Sequence, residues 1–125
     1  MTERRRRLGQ RAEELVATRL AAAGWEIVER NARTRYGELD LVALDGRALV
    51  FVEVKAGRQD SAFGPERPVL SVTSDKQRRV RRLASAYMRE RRDLPHYDEI
   101  RFDAIGVTYD RADNAVDVEH LEGAF

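Results

Sequence analysis

The chain predicts an α/β fold, a central mixed β-sheet flanked by helices, in a single domain over residues 1–125. Three observations carry that reading. Two stretches place apolar residues at helical spacing, and β-rich runs lie between and after them. The pair Asp45-Gly46 separates two of those runs, a strong hairpin signal. With 125 residues, 42% of them hydrophobic, the chain has enough apolar side chains for one core and too little length for two.

In chain order, Leu8, Ala12, Leu15, Val16, Leu20 and Ala23 recur at helical spacing, and Gly24 follows as a stop. A first helix is expected from about Glu3 to Ala23, with Arg4–Arg7 as a flexible basic arm. Trp25, Ile27 and Val28 suggest a short strand before the polar stretch Asn31–Tyr36. The hairpin follows: Glu38–Leu44, the Asp45-Gly46 turn, then Ala48–Lys55. From Ala56 to Pro68 the chain reads as a loop, and Val69–Thr73 as a short extended piece. Ser74 is expected to start a second helix, with Gln77 completing a capping box and Val80, Leu83, Ala84, Tyr87 and Met88 forming its apolar stripe. Ile100–Tyr109 and Ala115–Leu121 read as closing strands around the turn Asp110–Asn114.

The composition excludes several classes of function. There is no Cys, so a disulfide scaffold, a thiolate zinc site and a Cys nucleophile are ruled out. The only histidines are His96 and His120, a poor supply for imidazole metal cages. No apolar run approaches the roughly 20 residues that span a bilayer, and no apolar stretch follows Arg4–Arg7 to make a secretory signal. A soluble cytoplasmic protein without a membrane partner is expected. The net charge of +1 conceals a split. Residues 1–92 carry 21 Lys and Arg against 13 acids, and residues 93–125 carry 2 against 9. The basic part suits a polyanion, although a merely solvated surface has the same composition.

The acids of the hairpin carry the main chemical signal. A two-residue turn at Asp45-Gly46 sets Glu38 opposite Glu53 and Asp40 opposite Phe51, so Glu38, Asp40, Glu53 and Lys55 project from one sheet face. Asp40 and Glu53 then become diagonal neighbours able to reach one cation. Their neighbours on both strands are Leu, Val and Phe. Burying several carboxylates among them is costly unless a cation offsets the repulsion. Oxygen ligation without His or Cys points to Mg²⁺ or Mn²⁺. The alternative is a salt-bridged face in which Lys55 pairs Glu53. Lys55 and Lys76 are the only lysines beside 21 arginines, which suggests positions that need a compact ammonium.

Gly37-Glu38-Leu39-Asp40 followed by Val52-Glu53-Val54-Lys55 resembles the PD-(D/E)xK nuclease superfamily, the restriction-endonuclease-like fold. More narrowly, the chain resembles the YraN family of small bacterial proteins. Supporting stretches are Gly9…Ala12-Glu13, Asn31…Gly37-Glu38-Leu39-Asp40-Leu41, Phe63-Gly64, Lys76 before a helix, Arg101-Phe102-Asp103 and Ala124-Phe125. The resemblance implies Asp40 and Glu53 as metal ligands, Lys55 as the catalytic lysine, and Glu13 as the helical acid of the site. It also implies a metal-dependent endonuclease acting on DNA, and a homodimer by analogy with archaeal Holliday-junction resolvases. A module of the same fold that binds nucleic acid without turnover is the alternative. The sequence departs from the pattern twice. Residue 39 is Leu where the superfamily has Pro, and Ala56-Gly57-Arg58 follows Lys55 where the family more often has Lys-Thr-Arg.

On a helical wheel Glu13 lies at the edge of the apolar stripe, placed either to lean into a site or to pair Arg11 or Arg19 in solvent. The second helix carries Lys76, Arg78, Arg79 and Arg82 among further arginines. With Arg58 these are the candidate nucleic-acid contacts, or else a solvated helix face. Lys76 sits on the inward side of that helix, near the expected site. The loop Gly57–Pro68, with Phe63 central, is expected to order on substrate. Trp25, Tyr87 and Phe102 are expected in the core, His96 on the surface, and Asp103 in a structural role.

Overall fold

The computed structural model describes residues 2–60 and 67–125. Helix α1 (Glu3–Ala22) leads through Gly24 into three successive antiparallel strands, β1 (Glu26–Thr34), β2 (Gly37–Asp45) and β3 (Ala48–Arg58). A short 3₁₀ turn (Pro68–Ser71) and helix α2 (Ser74–Glu90) then cross over to β4 (Glu99–Tyr109), which pairs β3 in parallel. Strand β5 (Ala115–Leu121) closes the sheet antiparallel to β4. The order β1-β2-β3-β4-β5 makes a mixed sheet with one parallel pair, the pair that needs a helical crossover. This is the expected α/β fold, a central mixed sheet flanked by helices, and it is consistent with the restriction-endonuclease-like class.

Alternation along β3 explains the layering. Val50, Val52 and Val54 face α1, where they pack with Leu8, Ala12, Val16 and Leu20. Leu49 and Phe51 face α2, where they meet Val80, Leu83, Ala84 and Tyr87. Residues 48–52 are all at most 2% exposed, which is why this strand reads as an unbroken apolar run. Each such Val, Leu or Phe contributes about 1.5–3 kcal/mol through burial. No helix among the described residues is long and apolar enough to cross a membrane.

Several boundaries differ from expectation. Arg4–Arg7 form part of the first turns of α1, capped by the Thr2 hydroxyl, which accepts from the Arg5 N–H at 3.1 Å. Strand β1 continues through the polar residues after Val28, because an edge strand leaves many of its side chains in solvent. The hairpin turn is Gly46-Arg47, so that Asp45 pairs Ala48. Gly46 supplies the positive φ of 59° at the first turn position, where hairpin turns of the primed kinds favour glycine. The expected register is therefore wrong by two residues. A shift of two preserves which face each side chain takes.

Strand β3 runs on to Arg58, and its parallel register with β4 is unbroken from Ala48↔Glu99 to Arg58↔Tyr109, so the departure after Lys55 makes no bulge. The expected extended piece after Pro68 begins as the 3₁₀ turn. Helix α2 is capped one residue earlier than expected: Thr73 accepts from the Lys76 N–H, and Gln77 donates to the Val72 carbonyl at 3.2 Å instead of closing a box with Ser74. Phe63 and Gly64, the centre of the expected substrate loop, lie outside the described residues.

Candidate functional site

Strands β2 and β3 pair from Asp45↔Ala48 to Leu41↔Val52, and their ladder ends there. Continuing the register sets Asp40 directly across from Glu53. The Val54 N–H that the ladder leaves behind donates to Asp40 Oδ2 at 2.9 Å. A backbone donor that would otherwise lie unpaired near the core thus fixes one carboxylate, and the carboxylate stands at the mouth of the parting strands.

Two further acids converge on Asp40. Its carboxyl influences, and is influenced by, those of Glu53 from β3 and Glu13 from α1. Burial is the first cause that pushes Glu53 up to about 7, followed by the charge of Asp40. Burial likewise pushes Glu13 up to about 7, with Asp40 and Glu38 adding to it and Arg30 opposing. Asp40 itself is raised by burial, while the Val54 N–H and Lys55 favour its charged form. Half-buried carboxyls gathered this closely favour their neutral forms over full ionisation.

The cationic side is built from two elements. Lys55, two residues beyond Glu53 on the same face of β3, places Nζ 3.8 Å from Glu53 Oε1. Lys76 arrives from the first turn of α2 and comes against Lys55. That contact is the first cause holding its amine below the usual lysine range, with burial second. The chain's two lysines, 21 residues apart, therefore meet at one point, beside the acids.

Asn31 is a member of the site that sequence reasoning missed. Register places it across from Asp40 on β1, and its backbone takes a left-handed φ of 49° inside the strand. With its amide nitrogen turned to the carboxyls, Asn31 donates to Glu13 Oε1 at 3.0 Å and to Glu38 Oε1 at 3.1 Å. Asparagine tolerates that backbone and brings two donors, a pair of properties few residues combine. The sequence offered only its place at the head of a polar stretch within the motif region, which assigns it no role. Glu38 stands half outside the cluster, 3.6 Å from Arg33 at the surface.

The remaining candidates divide. Arg58 is occupied by Asp60 at 3.3 Å and Asp113 at 3.1 Å. Arg78 pairs with Asp75 of its own helix. Arg82 is exposed, and Arg79 reaches back to the start of β2 at Gly37. Asp103 is fully buried in a structural network. It accepts from Arg101 at 2.9 and 3.1 Å and from the Gly123 N–H at 3.0 Å, and His120 Nε2 stands 2.8 Å away. Tyr87 lies in the core, Trp25 and Phe102 pack against it, and His96 is exposed beside Asp98.

The donor chemistry suits a hard divalent cation. Among the described residues no three His, Cys, Asp or Glu side chains form a ready-made cage. Mg²⁺ ordinarily takes one or two carboxylates and leaves its other positions to water and substrate phosphate oxygens. Asp40 and Glu53 meet that requirement.

Comparison with known proteins agrees with the resemblance to a family of small bacterial proteins. A family model described as "Uncharacterised protein family UPF0102" matches residues 12–107. A UPF0102 protein of Rhodococcus opacus is 42% identical over 94% of this chain and 95% of its own. One from Moorella thermoacetica is 42% identical over the whole of both chains, and one from Beutenbergia cavernae is 47% identical over 93% of each. Identity at that level over nearly the full length, together with the family match across Glu13, Asp40, Glu53, Lys55 and Lys76, means that the chain belongs to the uncharacterised protein family UPF0102.

Proposed function

We propose that the protein is a metal-dependent phosphodiesterase that hydrolyses DNA backbone bonds. The observation that carries this reading is the meeting of Asp40, Glu53 and Lys55 where β2 and β3 part, with Glu13 and Lys76 completing the ring from the two helices. Asp40 and Glu53 would hold one Mg²⁺ or Mn²⁺ ion. When bound, the ion polarises the scissile phosphate and lowers the pKa of a water.

The chain's own residues have separable tasks. The Val54 N–H keeps Asp40 aimed at the opening. Lys55, held near Glu53, orients the attacking water or stabilises charge growing on the phosphoryl oxygens. Lys76 offers a second ammonium to the same phosphate from the start of α2. Glu13, with a carboxyl that titrates near 7, is suited to take or return a proton at neutral pH. Asn31 fixes the orientation of Glu13. Arg79 and Arg82 add sequence-independent grip on the backbone.

Purified protein incubated with single-stranded, duplex and branched DNA in Mg²⁺ or Mn²⁺ tests the reading. Cleavage is expected, and Asp40→Ala or Glu53→Ala should each lower it by about 10²-fold or more. Cleavage surviving both substitutions would assign the activity to something other than this site. A module that binds without turnover would show salt-sensitive affinity, no cleavage and no melting shift with metal.

A further inference from the structure

The turn between β1 and β2 is fixed more firmly than its exposure requires. Thr34, only 6% exposed, donates through its hydroxyl to the Gly37 carbonyl at 2.9 Å and accepts from the Tyr36 N–H at 3.1 Å. The Arg35 N–H donates to Glu90 at 3.3 Å, and Arg91 donates to the Arg33 carbonyl at 3.1 Å, so the end of α2 holds the turn from the other side. Gly37, at φ 145°, sits so close to α2 that a Cβ would lie 3.3 Å from Leu83 and 3.5 Å from the Arg79 guanidinium.

What this scaffold displays is an aromatic ring. Tyr36 is 54% exposed, one of the few large hydrophobic side chains left in solvent. The Arg35 guanidinium lies 5.3 Å from its ring centroid. Arg79 and Arg33, the latter 3.6 Å from Glu38, flank the same end of the hairpin. A single exposed aromatic is ordinary. A ring on a pinned turn, among arginines and four residues before Asp40 in the chain, is a platform with little entropy to lose. Four strand residues span about 13 Å.

We infer that Tyr36 and Arg35 form a stacking platform for an unpaired base of single-stranded DNA, beside the carboxylate cluster. The charge around the ring matches a phosphate backbone. Stacking on an aromatic face is available to any base that is not already stacked in a duplex. This inference rests on the nucleic-acid reading above and narrows it: the preferred substrate carries an unpaired nucleotide next to the bond presented to Asp40 and Glu53.

Binding measured without metal, in an Asp40→Asn background that cannot cleave, isolates the platform. Fluorescence anisotropy would follow a labelled single-stranded oligonucleotide and a blunt duplex of the same sequence at one salt concentration. Adding Tyr36→Ala is expected to weaken single-strand binding by about tenfold, within the range for loss of one base–aromatic stack, and to change duplex binding less than about twofold. Tyr36→Phe keeps the ring and is expected to restore the parent affinity. Equal loss on both substrates, no loss on the single strand, or failure of Phe to restore binding overturns the platform. Binding that depends on Tyr36 in a protein that never cleaves DNA would sink only the hydrolytic reading. A parent protein that binds neither oligonucleotide would sink both.

Discussion

Glu53 and Glu13 make the carboxylate cluster a source of instability at neutral pH. An unfolded Glu titrates near 4.5, whereas in the folded chain both are pushed up to about 7. Between those values the folded protein retains protons that the unfolded chain has released. Stability therefore falls as pH rises through that window, and the full cost stands above about pH 7. Glu53→Gln removes a charge that burial penalises, so it is expected to raise the melting temperature at pH 8 by at least roughly 3 °C. The gain should shrink toward nothing near pH 4.5, where both forms are neutral. Melting curves of the two proteins across pH check this; a gain independent of pH would contradict it. Asp103 shows the opposite economy. Arg101, His120 and the Gly123 N–H hold its carboxyl below the usual carboxylate range despite complete burial. Its contribution is present above the unfolded value of 3.8 and is lost as pH falls below that. Arg101→Ala would strand that charge in the core and is expected to cost about 3–5 kcal/mol, whereas truncating exposed Arg89 should cost under about 0.5 kcal/mol. Urea unfolding of both variants at pH 7 measures the difference.

Glycines couple the crossover to the site. A Cβ on Gly106 of β4 would fall 2.7 Å from the Val69 backbone nitrogen, and one on Gly57 of β3 would fall 2.6 Å from Pro68. Both strands thus accept the 3₁₀ turn only because two glycines leave room, and that turn leads directly to Thr73 and Lys76. Gly106→Ala should lose about 1–3 kcal/mol through overpacking, and by moving the start of α2 it should slow the proposed DNA cleavage while Asp40 and Glu53 stay in place. Gly9 of α1 has nothing within 4 Å, so Gly9→Ala should instead add about 0.5–1 kcal/mol of helix stability. Denaturant midpoints rank the two substitutions. None of this packing was readable in advance, because it joins Gly106 to Val69 and Gly57 to Pro68, 37 and 11 positions apart in the chain, through close approaches that leave no local pattern. Local patterns did reveal the two apolar stripes, the hairpin and the closing strands. Asp40 and Glu53 were legible as partners because turn chemistry fixes parity, although it missed the register by two. Thr73 and Ser74 are adjacent residues with equal capping chemistry, so only geometry could choose between them. Helical periodicity left Glu13 undecided between solvent and the site. The structure sets its half-buried carboxyl beside Asp40.

Charge is segregated more cleanly in the fold than along the chain. Three of the nine acids in the C-terminal segment 93–125 pair with arginines from earlier in the chain: Asp98 with Arg47, Asp113 with Arg4 and Arg58, Glu119 with Arg67. Its excess negative charge therefore neutralises the β4–β5 side of the molecule, where a polyanion would otherwise find competing positive ground. Helix α2 receives little of that compensation. Arg78 takes Asp75 and Arg91 takes Glu29 and Glu90, while Arg79, Arg82, Arg89 and Arg92 stand on or just beyond an exposed face. That face begins at Lys76 in the site and passes the β1–β2 turn at Arg79, giving a basic track in line with the carboxylate cluster. If DNA follows this track, binding should weaken steeply with salt, with a slope of about −0.7 per neutralised phosphate for a single strand. Arg79→Ala and Arg82→Ala are each expected to make the slope of log affinity against log salt shallower by about 0.7. Arg58→Ala should leave the slope unchanged, since its guanidinium already serves Asp60 and Asp113. Affinities measured at four or five salt concentrations for the three variants separate a phosphate track from a merely solvated helix. A solvated helix would give three slopes indistinguishable from the parent's.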